Sequence, residues 1–187
     1  MKILEIGPGD NPLIRDSFGR VPSFEIGEAD EYHAIQPDSY GGSFRPLEGE
    51  YKFPEDLIGS PGVHFQPGDA STMDYADESF DLVFAANVLT DPRVINIGHR
   101  IVSQSVRVLK SGCELVLLDN YTPEDDYVTK KIEQITGGTL ALETSLWFRT
   151  MRDDTCEREE WMSVAGEFSW QQREFGSGGS LHRFVKS

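Results

Sequence analysis

The sequence predicts an α/β fold built on a parallel sheet. Two observations predict it: strand-sized apolar runs alternate with helical patterns through the first 120 residues, and the first of those runs stops at a glycine turn. At 187 residues the chain is expected to form a single domain, 1–187.

Residues 2–6, KILEI, read as a buried strand stopped by Gly7-Pro8-Gly9. Asn11 and Pro12 suit the N-cap and first position of a helix over 13–18, with Gly19 as its stop. A second strand is expected at 32–36, ended by Pro37, and a third at 63–66. Between them, 41–61 is rich in Gly, Pro and charge, and reads as loop with a short helix near 55–58. Phe80–Ala86 is the most continuous apolar run, the mark of a strand covered on both faces.

Pro92 opens a helical pattern reaching about Lys110, with a stop at Gly112 and another buried strand at 114–119. Further on, 124–135 is helix-like, 139–148 is ambiguous, and 158–166 reads as helix. A closing hairpin is expected from 168–175 and 181–185 around Gly176-Ser177-Gly178-Gly179.

Composition excludes several functions. Seventeen Lys and Arg against 32 Asp and Glu leave a net charge of −15, which repels phosphate backbones and anionic lipid. No bulk nucleic acid and no membrane partner is expected. Cys113 and Cys156 form no CxxC pair, and His33, His64, His99 and His182 show no HxxxH or HExxH spacing. Neither a disulfide framework nor a metal site has support from spacing, and no secretory signal follows Met1. A reduced, cytoplasmic setting is expected.

The glycine turn lies at the carboxyl end of the first strand, where open α/β sheets bind ligands. Glycines there let backbone approach a ligand, and the following helix offers free N–H groups. A dinucleotide fingerprint needs Gly or Ala three residues after Gly9, and this chain has Pro12. That argues against NAD and FAD.

Four segments, in order, carry a family resemblance. ILEIGPGDN resembles the first motif of class I S-adenosylmethionine-dependent methyltransferases of the type 11-like group. GDASTMDYADESFDLVFAANVL (68–89) is similar to their third-to-fourth strand region. RVLKSGCELVLLD (107–119) is similar to their RVLKPGG helix end and fifth strand, and GGSLHRFVKS to their last, antiparallel strand. The resemblance implies a Rossmann-like, mostly parallel seven-stranded sheet flanked by helices, with a C-terminal antiparallel strand. It also implies S-adenosylmethionine as cofactor, S-adenosylhomocysteine as product and a small-molecule acceptor. By the same resemblance Glu5 would sit near the methionyl ammonium, with Gly7 and Gly9 packed on the cofactor. Asp69 would accept from the adenine amino group and Ala70 would offer its amide to the ring. Asn87 would lie near the transferred methyl.

Two departures stand out. The family ends its second strand with an acid that grips both ribose hydroxyls. Here the position holds Gln36, with Asp38 the nearest acid; a strand placed at 23–26 would use Glu28 instead. The family also usually carries helices before its first strand, which here starts at Lys2. Residues 120–154, with Tyr121, Tyr127, Trp147 and Phe148, form an insertion long enough to cover a substrate. They could equally pack on the sheet. A site without its own lid could borrow one from a second copy, which leaves a homo-oligomer open.

Methyl transfer from a sulfonium is an in-line displacement, so alignment supplies most of the catalysis. A general base is needed only where the acceptor must lose a proton. Asp91, just past the fourth strand, is the candidate, although Thr90-Asp91-Pro92 also reads as an N-cap. His33 and His99 are weaker ones. A methyltransferase-fold binding or scaffold module without activity is the alternative reading, and a nucleotide-dependent enzyme is disfavoured because the loop lacks a phosphate-binding Lys.

Overall fold

The computed structural model describes residues 1–9, 12–15, 30–37, 53–89, 94, 96–119, 127–148 and 179–187. Seven strands form one sheet: β1 (Lys2–Ile6), β2 (Glu31–Gln36), β3 (Val63–Pro67), β4 (Phe80–Ala86), β5 (Leu109–Asp119), β6 (Leu140–Phe148) and β7 (Gly179–Lys186). Their spatial order is β3-β2-β1-β4-β5-β7-β6. β1 to β5 run parallel, and β7 is antiparallel to both of its neighbours, β5 and β6. Two α-helices, α1 (Gly98–Val108) and α2 (Tyr127–Thr136), and three 3-10 turns complete the described residues.

Alternation along the strands divides the core between the two faces. Leu4, Ile6, Ile35, Val83, Ala85, Leu115, Leu117 and Phe184 pack on one side with Ile101 and Val102 of α1 and Ile132 of α2. Ile3, Tyr32, Ala34, Leu82, Phe84, Val116, Leu118 and Leu181 pack on the other with Leu13 and Phe53. Burying each large aliphatic side chain contributes about 1.5–3 kcal/mol, so strands with residues in both clusters form the rigid centre. β4 is buried at Phe80 and from Leu82 through Ala85, as its unbroken apolar run predicts.

Arg107 ties the acidic turn between β3 and β4 to α1. Its guanidinium donates to the carbonyls of Met73 and Tyr75 and to Asp77, at 2.6–2.9 Å. A planar fork with five donors suits acceptors spread along one turn.

Four expectations need adjusting. α1 ends at Val108, not near Lys110, because Leu109 already pairs with Phe80 as the start of β5. The chain then bulges before Glu114 pairs with Leu82, with Gly112 at φ +75° in the bulge, a conformation that costs glycine little. The helix expected at 13–18 is a 3-10 turn over Leu13–Arg15, and the residues after it lie outside those described. The hairpin partner expected for 181–185 is replaced: β5 and β6 occupy both edges of β7, and 168–175 lie outside the described residues. Within the insertion expected to cover a substrate, 120–154, α2 and β6 form the sheet's own last α/β unit. Tyr121 and 149–154 lie outside the described residues.

Candidate cofactor site

The chain runs β1 to β2 to β3 toward one edge, then crosses back to place β4 on the other side of β1. This reversal opens a crevice at the carboxyl ends of the strands, the place where such sheets bind ligands. Gly7 to Gly9, Gln36, Asp69 and Asn87 all stand at or just past those ends.

The glycine loop is held from three sides. Gly7 donates to the Ile35 carbonyl at 2.9 Å, and Gly9 donates to the side-chain oxygen of Gln36, also at 2.9 Å. Gly7 and Gly9 have φ of +65° and +61°, the left-handed region that favours glycine. A Cβ on Gly7 would meet Val88 Cγ2 at 2.8 Å, so the loops after β1 and β4 are pressed together there.

Glu5 is 1% exposed, and its Oε2 accepts from the Leu13 amide at 2.6 Å and from the Tyr32 hydroxyl. The acid of the first motif thus anchors the chain after the glycine loop to the sheet. Tyr32, its partner, escapes sequence reasoning. The only signal for it is its place two residues before Ala34 on the same buried face.

Asp69 caps the 3-10 turn Ala70–Thr72, its Oδ1 accepting from the Ser71 amide at 2.7 Å while the residue stays exposed. Gly68 donates to the Gln36 carbonyl at 2.9 Å, which brings the end of β3 against the end of β2. Ala70, the first residue of the turn, is buried.

Asn87 follows β4 with φ +55°, a conformation uncommon for residues other than glycine and tolerated best by Asn and Asp. Its amide donates to the Leu118 carbonyl at 2.6 Å. Its side-chain Oδ1 is buried with no hydrogen-bond partner. A buried acceptor without a donor costs about 1–3 kcal/mol, so this atom suits a ligand that brings a donor, such as an ammonium group. The open glycine loop, the exposed Asp69 carboxylate and this orphaned oxygen together fit an amino-acid-bearing nucleoside.

The structure thus brings Glu5, Gly7, Gly9, Gln36, Asp69, Ala70 and Asn87 to one end of the sheet. Asp38, Asp91 and Glu28 lie outside the described residues. His33 is not at this end: it pairs with His64 three residues before Gln36, about 10 Å along the strand. Burial lowers its pKa against a smaller opposing pull from Glu31. His99 is exposed in the first turn of α1.

Residues 48–117 match the methyltransferase domain family. The chain is 31% identical over 80 residues to the Bacillus subtilis (strain 168) protein YcgJ, described as an uncharacterized methyltransferase. That match covers 41% of this chain and 29% of YcgJ. The crystal structure of YcgJ superposes with a TM-score of 0.58 at 17% identity, covering 99% of this chain and 91% of that one. A chain of the complex between the Haloferax volcanii Trm112 methyltransferase activator and a methyltransferase gives 0.59 at 15% identity, with 99% and 81% covered. The [4+2]-cyclase SpnF gives 0.56 at 14% identity, with 99% and 75% covered. These structural likenesses concern the fold. No helix among the described residues is long and apolar enough to cross a membrane.

Proposed function

We propose that the chain is a class I S-adenosylmethionine-dependent methyltransferase that transfers a methyl group to a small-molecule acceptor, a reading supported by the methyltransferase domain match over 48–117 and the likeness to YcgJ. The observation that carries the reading is the buried, unpartnered Oδ1 of Asn87, the residue before the Val88 that faces Gly7. When bound, S-adenosylmethionine supplies a methyl group already activated by its sulfonium. The chain's task is then to hold and align.

Asn87 accepts from the ammonium of the methionyl part, and Gly7 and Gly9 let backbone close on it. Asp69 accepts from the adenine amino group, with the Ala70 amide beside the ring. Gln36 keeps Gly9 in place, and Gln36 with Asp38 takes the ribose-binding role that the family gives its acid. Glu5 fixes the chain leaving the loop. Asp91 takes the proton where the acceptor has one to lose. The net charge of −15 favours a small acceptor over nucleic acid. The aromatic residues of 120–154, or a second copy of the chain, cover the acceptor, and the setting is cytoplasmic.

A second reading keeps the fold without methyl transfer. It is favoured by a neutral Gln36 at the usual acid's position, and SpnF, of the same fold, is described as a cyclase. An S-adenosylhomocysteine release assay separates the two, run with the cofactor and a panel of phenols, carboxylates, amines and thiols. Release that depends on an acceptor supports the enzyme. Cofactor binding without release across the panel supports the second reading.

A further inference from the structure

The flank of the sheet far from the glycine loop carries a group of side chains that the proposed reaction does not use. His33 of β2 and His64 of β3 stand opposite each other in the parallel register. Neighbouring strands are about 4.8 Å apart, and the two rings stack with centroids 4.5 Å apart and planes inclined by 24°. Glu31 stands two residues before His33, on the same face, and its Oε2 lies 3.5 Å from His33 Nε2. One ligand atom from each of the three residues lies within 4.8 Å of the others.

We propose that Glu31, His33 and His64 bind one divalent transition-metal ion of the zinc class. Two imidazoles and a carboxylate are the donor set such ions prefer over magnesium or calcium, which take oxygen alone. Tetrahedral zinc with bonds of ~2.0–2.1 Å holds its ligand atoms about 3.3 Å apart. The present spread needs to contract by no more than about 1.5 Å. His64 is exposed, so its ring can turn from the stack toward the ion. His33 is the fixed ligand, since the edges of Tyr75 and Phe80 meet its ring at 5.7 and 5.2 Å.

The spot already attracts a cation. Lys2 Nζ lies 3.3 Å from Glu31 Oε2 and 5.4 Å from the centre of the Phe80 ring. A metal ion competes with this ammonium for the same carboxylate. Once bound, it staples β2 to the edge strand β3. Its remaining positions are left to water, as in open sites. The effect falls on the stability of that edge, and the ion lies about 10 Å along the strand from Gln36.

The test is calorimetric titration of the chelator-treated chain with zinc chloride, with circular dichroism checking the fold of each variant. The expected result is one equivalent of zinc bound. Replacing the exposed ligand, His64→Ala, weakens binding by at least about tenfold, since losing even a hydrogen-bond partner of a metal ligand costs about 10–100-fold. Glu31→Gln weakens it too, Lys2→Gln strengthens it, and His99→Ala leaves it unchanged. Absence of stoichiometric binding, or equal binding by folded His64→Ala, overturns the site. The assay contains no S-adenosylmethionine, so its outcome is independent of the methyltransferase reading.

Discussion

Gln36 accepts a hydrogen bond from the Gly9 amide at 2.9 Å, so the end of β2 holds the glycine loop from the side. The residue standing where the family has its ribose-binding acid therefore has a structural partner within the loop. Gln36→Ala leaves the Gly9 amide unpaired in a buried setting, at about 1–1.5 kcal/mol. Affinity for S-adenosylhomocysteine should fall about tenfold. Gln36→Glu still accepts from Gly9 and adds charge toward the ribose, so binding should tighten by about fivefold. Calorimetric titration of the two variants checks both.

Glu5 carries a second, separable prediction. Glu5→Ala strands the Leu13 amide and the Tyr32 hydroxyl, two buried donors at about 1–3 kcal/mol each. Urea denaturation should show a loss of about 2–6 kcal/mol. Tyr32→Phe removes one donor and keeps the other satisfied, and should cost about 1 kcal/mol.

Asn87 should separate stability from binding. Its φ of +55° suits glycine better than asparagine, so Asn87→Gly should leave the melting temperature unchanged or higher. The same variant removes the orphaned Oδ1, and affinity for the cofactor should fall by about tenfold. Equal binding by Asn87→Gly would remove Asn87 from the site.

Acid stability should depend on Asp81. Its Oδ1 accepts from Lys110 Nζ and its Oδ2 from the Lys2 amide, each at 2.6 Å, tying β1, β4 and β5 together. Partial burial pushes its carboxyl up, but these two hydrogen bonds and the Lys110 charge outweigh it and leave the pKa below the ordinary 3.8. A depressed carboxylate stabilises the fold above its unfolded pKa, and that contribution disappears as pH falls through the folded value. The wild type should therefore lose this stability only below about pH 4. At neutral pH Asp81→Asn should be less stable by about 1 kcal/mol, a value reduced by the pair's exposure. The difference should close in acid.

The strands of the central sheet were legible because each is a bounded apolar run. Phe80–Ala86 and the element beginning at Val63 show this directly. The edge strand Leu140–Phe148 read ambiguously, since its LALETSLWF pattern alternates only in part and its partner β7 lies some 40 residues on. In the site, the glycine loop, Asp69 and Asn87 could be placed from local sequence order. The Glu5–Tyr32 and Gln36–Gly9 bonds join residues 27 apart, and only strand pairing brings them together. The stacking of His33 on His64, on the other flank of the sheet, is invisible in the sequence for the same reason: a cross-strand pair has no spacing motif, unlike two histidines one turn apart on a helix.

The central claim, that the strand ends around the glycine loop hold S-adenosylmethionine, is tested most directly by calorimetric titration with S-adenosylhomocysteine. The comparison is wild type against Asp69→Ser, which keeps an acceptor for the Ser71 amide and so preserves the cap. The account predicts one site of micromolar affinity in the wild type and binding weaker by about tenfold in the variant. No binding by the folded wild-type chain, or equal binding by both, would contradict it.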